Sequence, residues 1–118
     1  MPTYLMENSL LPDGFAYPPA ILKLVDLGLT NFENWAFFNS SAASRRMDGL
    51  LERYPYTALV PFARRFDNDD IACLTAEKPG RVLIVHDFAS AGWEHVREYT
   101  SVWQWVIAAI QELAEEDA

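Results

Sequence analysis

The spacing of apolar residues at the start of the chain predicts an irregular lead-in followed by a short helix. Residues 1–17 mix apolar and turn residues without a clear period, so we expect no regular element there. Pro19 suits the first turn of a helix, and Gly28 offers a C-cap. Between them, apolar residues recur at the spacing of one buried helical stripe: Ile21, Leu24 and Val25.

The next segment predicts a short strand and a second helix. Trp35 and Phe37 alternate in the way that strand residues do. Ser41 or Ser44 can cap a helix, and Pro55 ends it. The apolar residues that fall on one face of this helix are Met47, Leu50, Leu51 and Tyr54.

From residue 56 the period changes from helical to extended. Asp/Asn and Pro-Gly punctuation separates runs of β-branched and apolar residues, which predicts consecutive antiparallel strands. These runs cover residues 56–62, 71–75 and 81–87, with a fourth, partly exposed strand at 93–99. Residues 77–80 form a plausible tight connection, and Pro61 indicates that its strand lies at an edge or carries a bulge.

The last segment predicts an amphipathic helix. Ser101 and Gln104 have the spacing of a capping box. An apolar stripe follows, formed by Trp103, Val106, Ile107, Ile110, Leu113 and Ala114. Two residues correspond to about 200° of helical rotation, so we expect Trp103 in the core and Trp105 at the surface. The whole order predicts one α+β domain over residues 1–118, with an antiparallel sheet of about four to six strands packed against helices.

Composition narrows the range of partners. The chain has 118 residues, of which 51% are hydrophobic, enough for one folded core. With 9 basic and 17 acidic residues, its net charge of −8 repels phosphate backbones and anionic lipid, so we expect neither nucleic acid nor membrane as a partner. From residue 82 onward, Arg97 is the only basic residue, against Asp87, Glu94, Glu98, Glu112, Glu115, Glu116 and Asp117. Such a surface suits a basic protein partner, although ordinary solubility charge explains it equally well.

The single cysteine and the N-terminal residues indicate the cellular compartment in which the protein is expected. Cys73 alone excludes an internal disulfide framework. Residues 1–11 carry no basic residue and do not resemble a signal peptide, and no apolar run approaches the roughly 20 residues needed to cross a bilayer. We therefore expect a cytoplasmic protein.

Two arrangements of reactive residues are candidates for a metal site or a catalytic site. His86-Asp87 could begin a metal site, but the only other histidine is His95, on another predicted strand. Cys73, His86 and Asp87 could form a nucleophilic triad. Cys73, however, lies in the middle of a strand, and neighbouring strand residues point to opposite faces. We expect a buried thiol, no catalytic residue, no metal and no cofactor.

The acidic run Asp67-Asn68-Asp69-Asp70 lies between two predicted strands. It lacks the glycine and the distant glutamate of a calcium-binding loop, so turn formation explains it better. The preceding Arg64-Arg65 neutralises part of its charge.

Several of these segments together resemble the SUKH superfamily, which includes bacterial immunity proteins and the yeast cell-wall assembly regulator. The segments that show the resemblance are the strand at 59–63, the acidic turn and strand at 67–74, and the terminal helix with Trp103 and Trp105. The resemblance covers about residues 18–113 and is most specific in the first of these strands and the turn after it. In the turn itself, Asn-Asp-Asp replaces the usual Gly-Asp or Gly-Gly.

Membership of this group implies an α+β fold without enzymatic activity and, in bacteria, an antidote that binds and blocks a toxin, often a nuclease. Our leading hypothesis is accordingly an immunity protein whose partner is a toxin domain with a basic surface. The alternatives are a regulatory or scaffold module of the same fold and a small hydrolase using His86, Asp87 and Cys73. The residues proposed for partner binding are Asp67, Asp69, Asp70, Asp87, Trp93 and Glu94.

Overall fold

A five-stranded antiparallel sheet forms the centre of the molecule in a computed structural model that describes residues 3–55, 58–90, 92 and 94–117. The strands follow chain order across the sheet, each paired with the next. They are β1 (Trp35–Phe37), β2 (Val60–Arg65), β3 (Asp70–Leu74), β4 (Val82–His86) and β5 (His95–Tyr99). The predicted α+β class and the run of consecutive antiparallel strands are confirmed.

In the described residues three α-helices accompany the sheet: α1 (Pro19–Asp26), α2 (Ser40–Arg53) and α3 (Val102–Glu116). A single 3₁₀ turn at Asn8–Leu10 lies in the lead-in, where the sequence predicted no regular element. Successive strand residues point to opposite faces, which separates α2 from α3. Ile84 lines a cavity together with Trp105 of α3, whereas Asp87, three residues further on, bonds to arginines of α2. The sheet therefore lies between α2 on one face and α3 on the other.

Local signals place the starts and ends of the first two helices. Pro19 occupies the first turn of α1, and Gly28 just beyond its end has a φ of 73°, the left-handed conformation that favours glycine. The N-cap of α2 is Asn39, whose side chain accepts a hydrogen bond from the Ala42 amide at 2.8 Å. The prediction that Ser41 or Ser44 caps this helix was wrong, because Asn39, two residues before Ser41, fills the same role.

Pro61 lies in β2, an interior strand between β1 and β3. The pairing of β2 with β3 shifts register between Pro61 and Ala63. Pro61 itself stands opposite Cys73, and Phe62 is the extra residue. β1 pairs with β2 only from Ala63 to Arg65, so Pro61 has a strand partner on one side only. The predicted bulge is confirmed, and the alternative of an edge strand is wrong.

The α3 helix buries a face that is rotated from the one that the sequence pattern predicts, although Val106 and Leu113 of the predicted stripe still pack against the core. Trp105 is only 1% exposed, while Trp103 is 42% exposed. The residues that α3 buries are Val102, Trp105 and Ala109, and Ile107 and Ile110 of the predicted stripe are exposed. Ser101 does cap the helix, accepting a hydrogen bond from the Gln104 amide at 3.1 Å.

Aromatic contacts explain the orientation of α3. The Trp105 ring lies 5.0 Å from Phe62, 5.6 Å from Trp35 and 6.2 Å from Phe37, measured between ring centroids. Phe32, just before β1, adds a fourth ring at 5.8 Å. An indole packed among four rings buries far more apolar surface than Trp103 could at the helix edge.

The described part of the chain contains no helix long and apolar enough to cross a bilayer.

β5 forms one edge of the sheet. Its residues are exposed or half-buried, as predicted for the strand at 93–99. Residues 56 and 57, at the start of the predicted strand 56–62, lie outside the described residues.

Candidate functional site

The hairpin between β2 and β3 carries the acidic run that the sequence singled out. Asn68 shapes this turn: its side-chain oxygen accepts a hydrogen bond from the Asp70 amide at 2.7 Å. Phe66, Asp67 and Asp69 are exposed at the tip of the hairpin. We call these three residues, with Asn68, the acidic tip. It presents two carboxylates beside an exposed aromatic ring.

Arg65 fixes the acidic tip to α3. Its guanidinium bonds to Asp67 at 2.8 Å and to Glu112 of α3 at 2.9 Å. It also lies over the Trp35 ring at 5.4 Å. The hydrogen bonds from Arg65 hold the pKa of Glu112 and of Asp67 below their ordinary values. One arginine thus connects the tip, the sheet edge and the last helix.

Removing this arginine should change the acid dependence of stability. Groups with a lowered folded pKa stabilise the fold above their ordinary values, 3.8 for Asp67 and 4.5 for Glu112, and that stabilisation is lost as pH falls. We expect Arg65→Gln to cost about 1 kcal/mol at neutral pH, since both carboxylates are partly exposed, and progressively less below about pH 4. Urea unfolding of both proteins from pH 7 to pH 3 checks this. A difference that stays constant with pH would contradict the ion-pair account.

Asp70 lies at the base of the hairpin and pairs with a histidine. It stands opposite His86 in the sheet register, and its carboxylate is 2.9 Å from Nδ1 of that ring. The Asp70 side chain is mostly buried, while the His86 side chain is about half exposed. Asp70 therefore has an internal partner that competes with any external one.

Asp87 has a structural environment that the sequence did not reveal. It is 0% exposed, and its carboxylate accepts bonds from Arg46 at 2.9 Å and from Arg53 at 2.8 and 2.7 Å. The Phe88 amide donates a further bond at 2.9 Å. We call Asp87, Arg46 and Arg53 the buried ion cluster. Its carboxylate anchors α2 to the turn after β4, and it has no accessible surface for a partner.

The remaining residues proposed for partner binding lie just before β5. Glu94 is buried and accepts a hydrogen bond from the Gly92 amide at 2.7 Å, so it shapes this turn. Trp93 lies outside the described residues. Of the proposed set, the structure brings Asp67 and Asp69 together at an exposed tip, and it places Asp87 and Glu94 in the interior.

The residues weighed for catalysis have separate environments. Cys73 is fully buried, and burial raises the pKa of its thiol well above the ordinary value. His86 pairs with Asp70 on one face of the sheet, whereas Asp87 bonds to α2 on the other. Within the described ranges, no group of three or more His, Cys, Asp or Glu side chains is placed to hold a metal ion.

Sequence reasoning missed the two arginines of the buried ion cluster. Arg46 and Arg53 are seven residues apart, two turns of α2, and so lie on the same helix face. That spacing was a usable signal. The spacing does not identify their partner, because Asp87 lies 41 residues after Arg46 and 34 residues after Arg53 in the chain.

Comparison of the chain with family models, with curated proteins and with solved structures found no match in any of the three.

Proposed function

We propose that this protein is a non-enzymatic binding domain that neutralises a toxin protein by covering a basic surface on it. The observation that carries the proposal is the acidic tip, where Phe66, Asp67 and Asp69 are exposed together at the end of a hairpin. An exposed aromatic ring beside carboxylates supplies both an apolar anchor and charge complementarity for a basic partner.

The connections of the tip support a binding role. Arg65 holds Asp67 and Glu112, and Asn68 bonds to the Asp70 amide, so the turn is ordered before any partner arrives. The Arg64 guanidinium lies over the Phe66 ring, 5.1 Å from its centroid. A pre-organised surface loses less conformational entropy on binding than a flexible loop does.

The choice of a toxin as partner rests on the resemblance to the SUKH superfamily, whose bacterial members include immunity proteins. The chain's net charge of −8 fits this role, because nuclease toxins carry basic surfaces for their phosphate-rich substrates. An acidic protein lying over such a surface excludes the substrate through charge and steric overlap.

Co-expression with the product of the adjacent gene tests the proposal. We expect the two proteins to co-purify, and we expect this chain to restore growth to cells that the neighbour alone kills. A stable complex with a harmless protein would instead favour the regulatory or scaffold alternative. Failure of both co-purification and growth rescue would count against the proposed toxin partner.

Removing charge from the tip should slow formation of that complex. Asp67→Asn with Asp69→Asn keeps the side-chain shapes and removes two negative charges. We expect the association rate at low salt to fall roughly tenfold, with a smaller difference at physiological salt. Stopped-flow or surface-plasmon-resonance kinetics measure this. The matched control, Glu7→Gln with Asp13→Asn, removes two exposed charges from the lead-in and should change the rate little. Equal rates for the two double variants would exclude the tip as the contact.

A further inference from the structure

A concave surface on α2 carries a concentration of positive charge that contrasts with the acidic chain as a whole. The cavity measures about 340 Å³ and is lined by Arg45, Arg46 and Arg53. Among the described residues, Asp87 is the carboxylate that pairs with Arg46 and Arg53, and Arg45 has no ion pair, so three guanidinium groups share one bonded carboxylate. The described residues that line the cavity include three arginines and no acidic residue, although the net charge of the protein is −8.

The arginines are held in place yet keep unused donors. Arg46 donates one hydrogen bond to Asp87 and Arg53 donates two, whereas each guanidinium has five N–H groups. Both side chains remain about 30% exposed. Arg45 bonds to the Ser41 hydroxyl at 2.7 Å, and it forms no ion pair with any acidic residue in the described part of the chain. The cavity thus offers ordered, incompletely used donors for an oxyanion.

Gly49 makes room for this arrangement. It lies inside α2, where glycine costs roughly 1 kcal/mol relative to alanine. A Cβ at this position would come within 3.0 Å of two Arg53 guanidinium nitrogens. A side chain at this position would require the Arg53 guanidinium to shift by a few tenths of an ångström from the position it has beside the cavity.

Aromatic rings flank the arginines. The Arg46 guanidinium lies 5.7 Å from the centroid of Phe38, and that of Arg53 lies 4.2 Å from the centroid of Phe88. Phe88 is 64% exposed and has a φ of 67°, a conformation that is rare and costly for a bulky residue. The Asp87 carboxylate holds the Phe88 amide and so maintains this exposed ring beside the cavity.

We propose that this cavity binds a small organic anion with an aromatic or other flat apolar part, its carboxylate or phosphate on the free N–H groups of the arginines. Arg45, which forms no ion pair in the described part of the chain, supplies a positive charge to the oxyanion, and Phe88 contacts the apolar part. The site lies on the α2 face, and this inference is independent of toxin binding.

Titration by NMR with four probes tests the site and separates carboxylate from phosphate: acetate, benzoate, inorganic phosphate and phenyl phosphate. We expect each aromatic probe to bind more tightly than its small counterpart, with shifts centred on α2 and Phe88. The tighter of benzoate and phenyl phosphate identifies the oxyanion. Equal, millimolar-or-weaker effects of all four probes spread over the surface would overturn the proposal.

Two variants and a control locate the binding groups. Arg45→Gln removes an exposed guanidinium, and we expect it to weaken the aromatic probes roughly tenfold. Phe88→Ala should abolish the preference for the aromatic probes while leaving inorganic phosphate binding nearly unchanged. Arg97→Gln removes an exposed arginine of β5 that lines the cavity beside α3 and not the one on α2, and it should change neither. Equal losses from Arg45→Gln and Arg97→Gln would show that only overall charge matters and would contradict the site.

Discussion

Replacing Trp105 by alanine should destabilise the protein by about 3–5 kcal/mol, because the change removes a large buried ring and leaves a cavity. Trp105 is 1% exposed and lies within 6.2 Å of four aromatic rings, measured between ring centroids, that belong to or precede β1 and β2. Its loss takes away the aromatic contacts between α3 and the sheet. Urea unfolding followed by fluorescence and circular dichroism measures the effect.

Trp103 is the matched control for that experiment. It lies in the same helix, two residues away, but 42% of it is exposed. We expect Trp103→Ala to cost less than about 1 kcal/mol, as surface substitutions usually do. The opposite order of effects would mean that α3 buries the face predicted from the sequence, and the described orientation would be wrong.

Removing both arginines of the buried ion cluster should cost about 3–5 kcal/mol, since it leaves a buried carboxylate without a counter-charge. The variant is Arg46→Met with Arg53→Met, which retains apolar side-chain volume on α2. Asp87, 0% exposed, would then keep only the Phe88 amide among the donors described above. Thermal and urea unfolding compare it with the parent protein.

Restoring neutrality in the same background tests the electrostatic origin of that loss. Adding Asp87→Asn keeps the oxygen that accepts from the Phe88 amide but removes the charge. We expect the triple variant to regain stability relative to the double variant, because an amide costs less to bury than an unpaired carboxylate. If the triple variant were equally or less stable, lost packing of the arginine stems would explain the effect instead.

Much of the architecture was predictable because local signals agree with the tertiary structure. Pro19 and Gly28 mark the ends of α1, and the change from helical to alternating periodicity marks the start of the second half of the sheet. The N-cap of α2 shows the limit of such signals. Asn39, Ser41 and Ser44 are all residue types that cap helices, and only the geometry of the turn selects Asn39.

The orientation of α3 was not predictable from periodicity, because the helix is apolar on two faces. Trp103, Ile107 and Ile110 form one stripe, and Val102, Trp105 and Ala109 form another. Counting apolar residues favours the first stripe, which has the larger side chains overall. The rings of β1 and β2 instead select the second, and that information lies about 40 to 70 residues away in the chain.

Only part of the candidate site could be predicted from the sequence, again because some of its contacts join residues that are distant in the chain. The acidic tip is formed by neighbouring residues, so the sequence located it as a turn between strands. Asp87 seemed equivalent to Asp67 and Asp69 as a negative residue in a turn. Its burial depends on two arginines of α2, and such long-range pairing leaves no local pattern.

The measurement that tests the proposed function most directly is a calorimetric titration of this protein with the domain encoded beside it, at low and at physiological salt. We predict nanomolar binding that weakens as salt rises and that abolishes the toxicity of the partner. Absence of binding, or binding that is insensitive to salt and leaves the partner toxic, would contradict the account of an acidic protein covering a basic toxin surface.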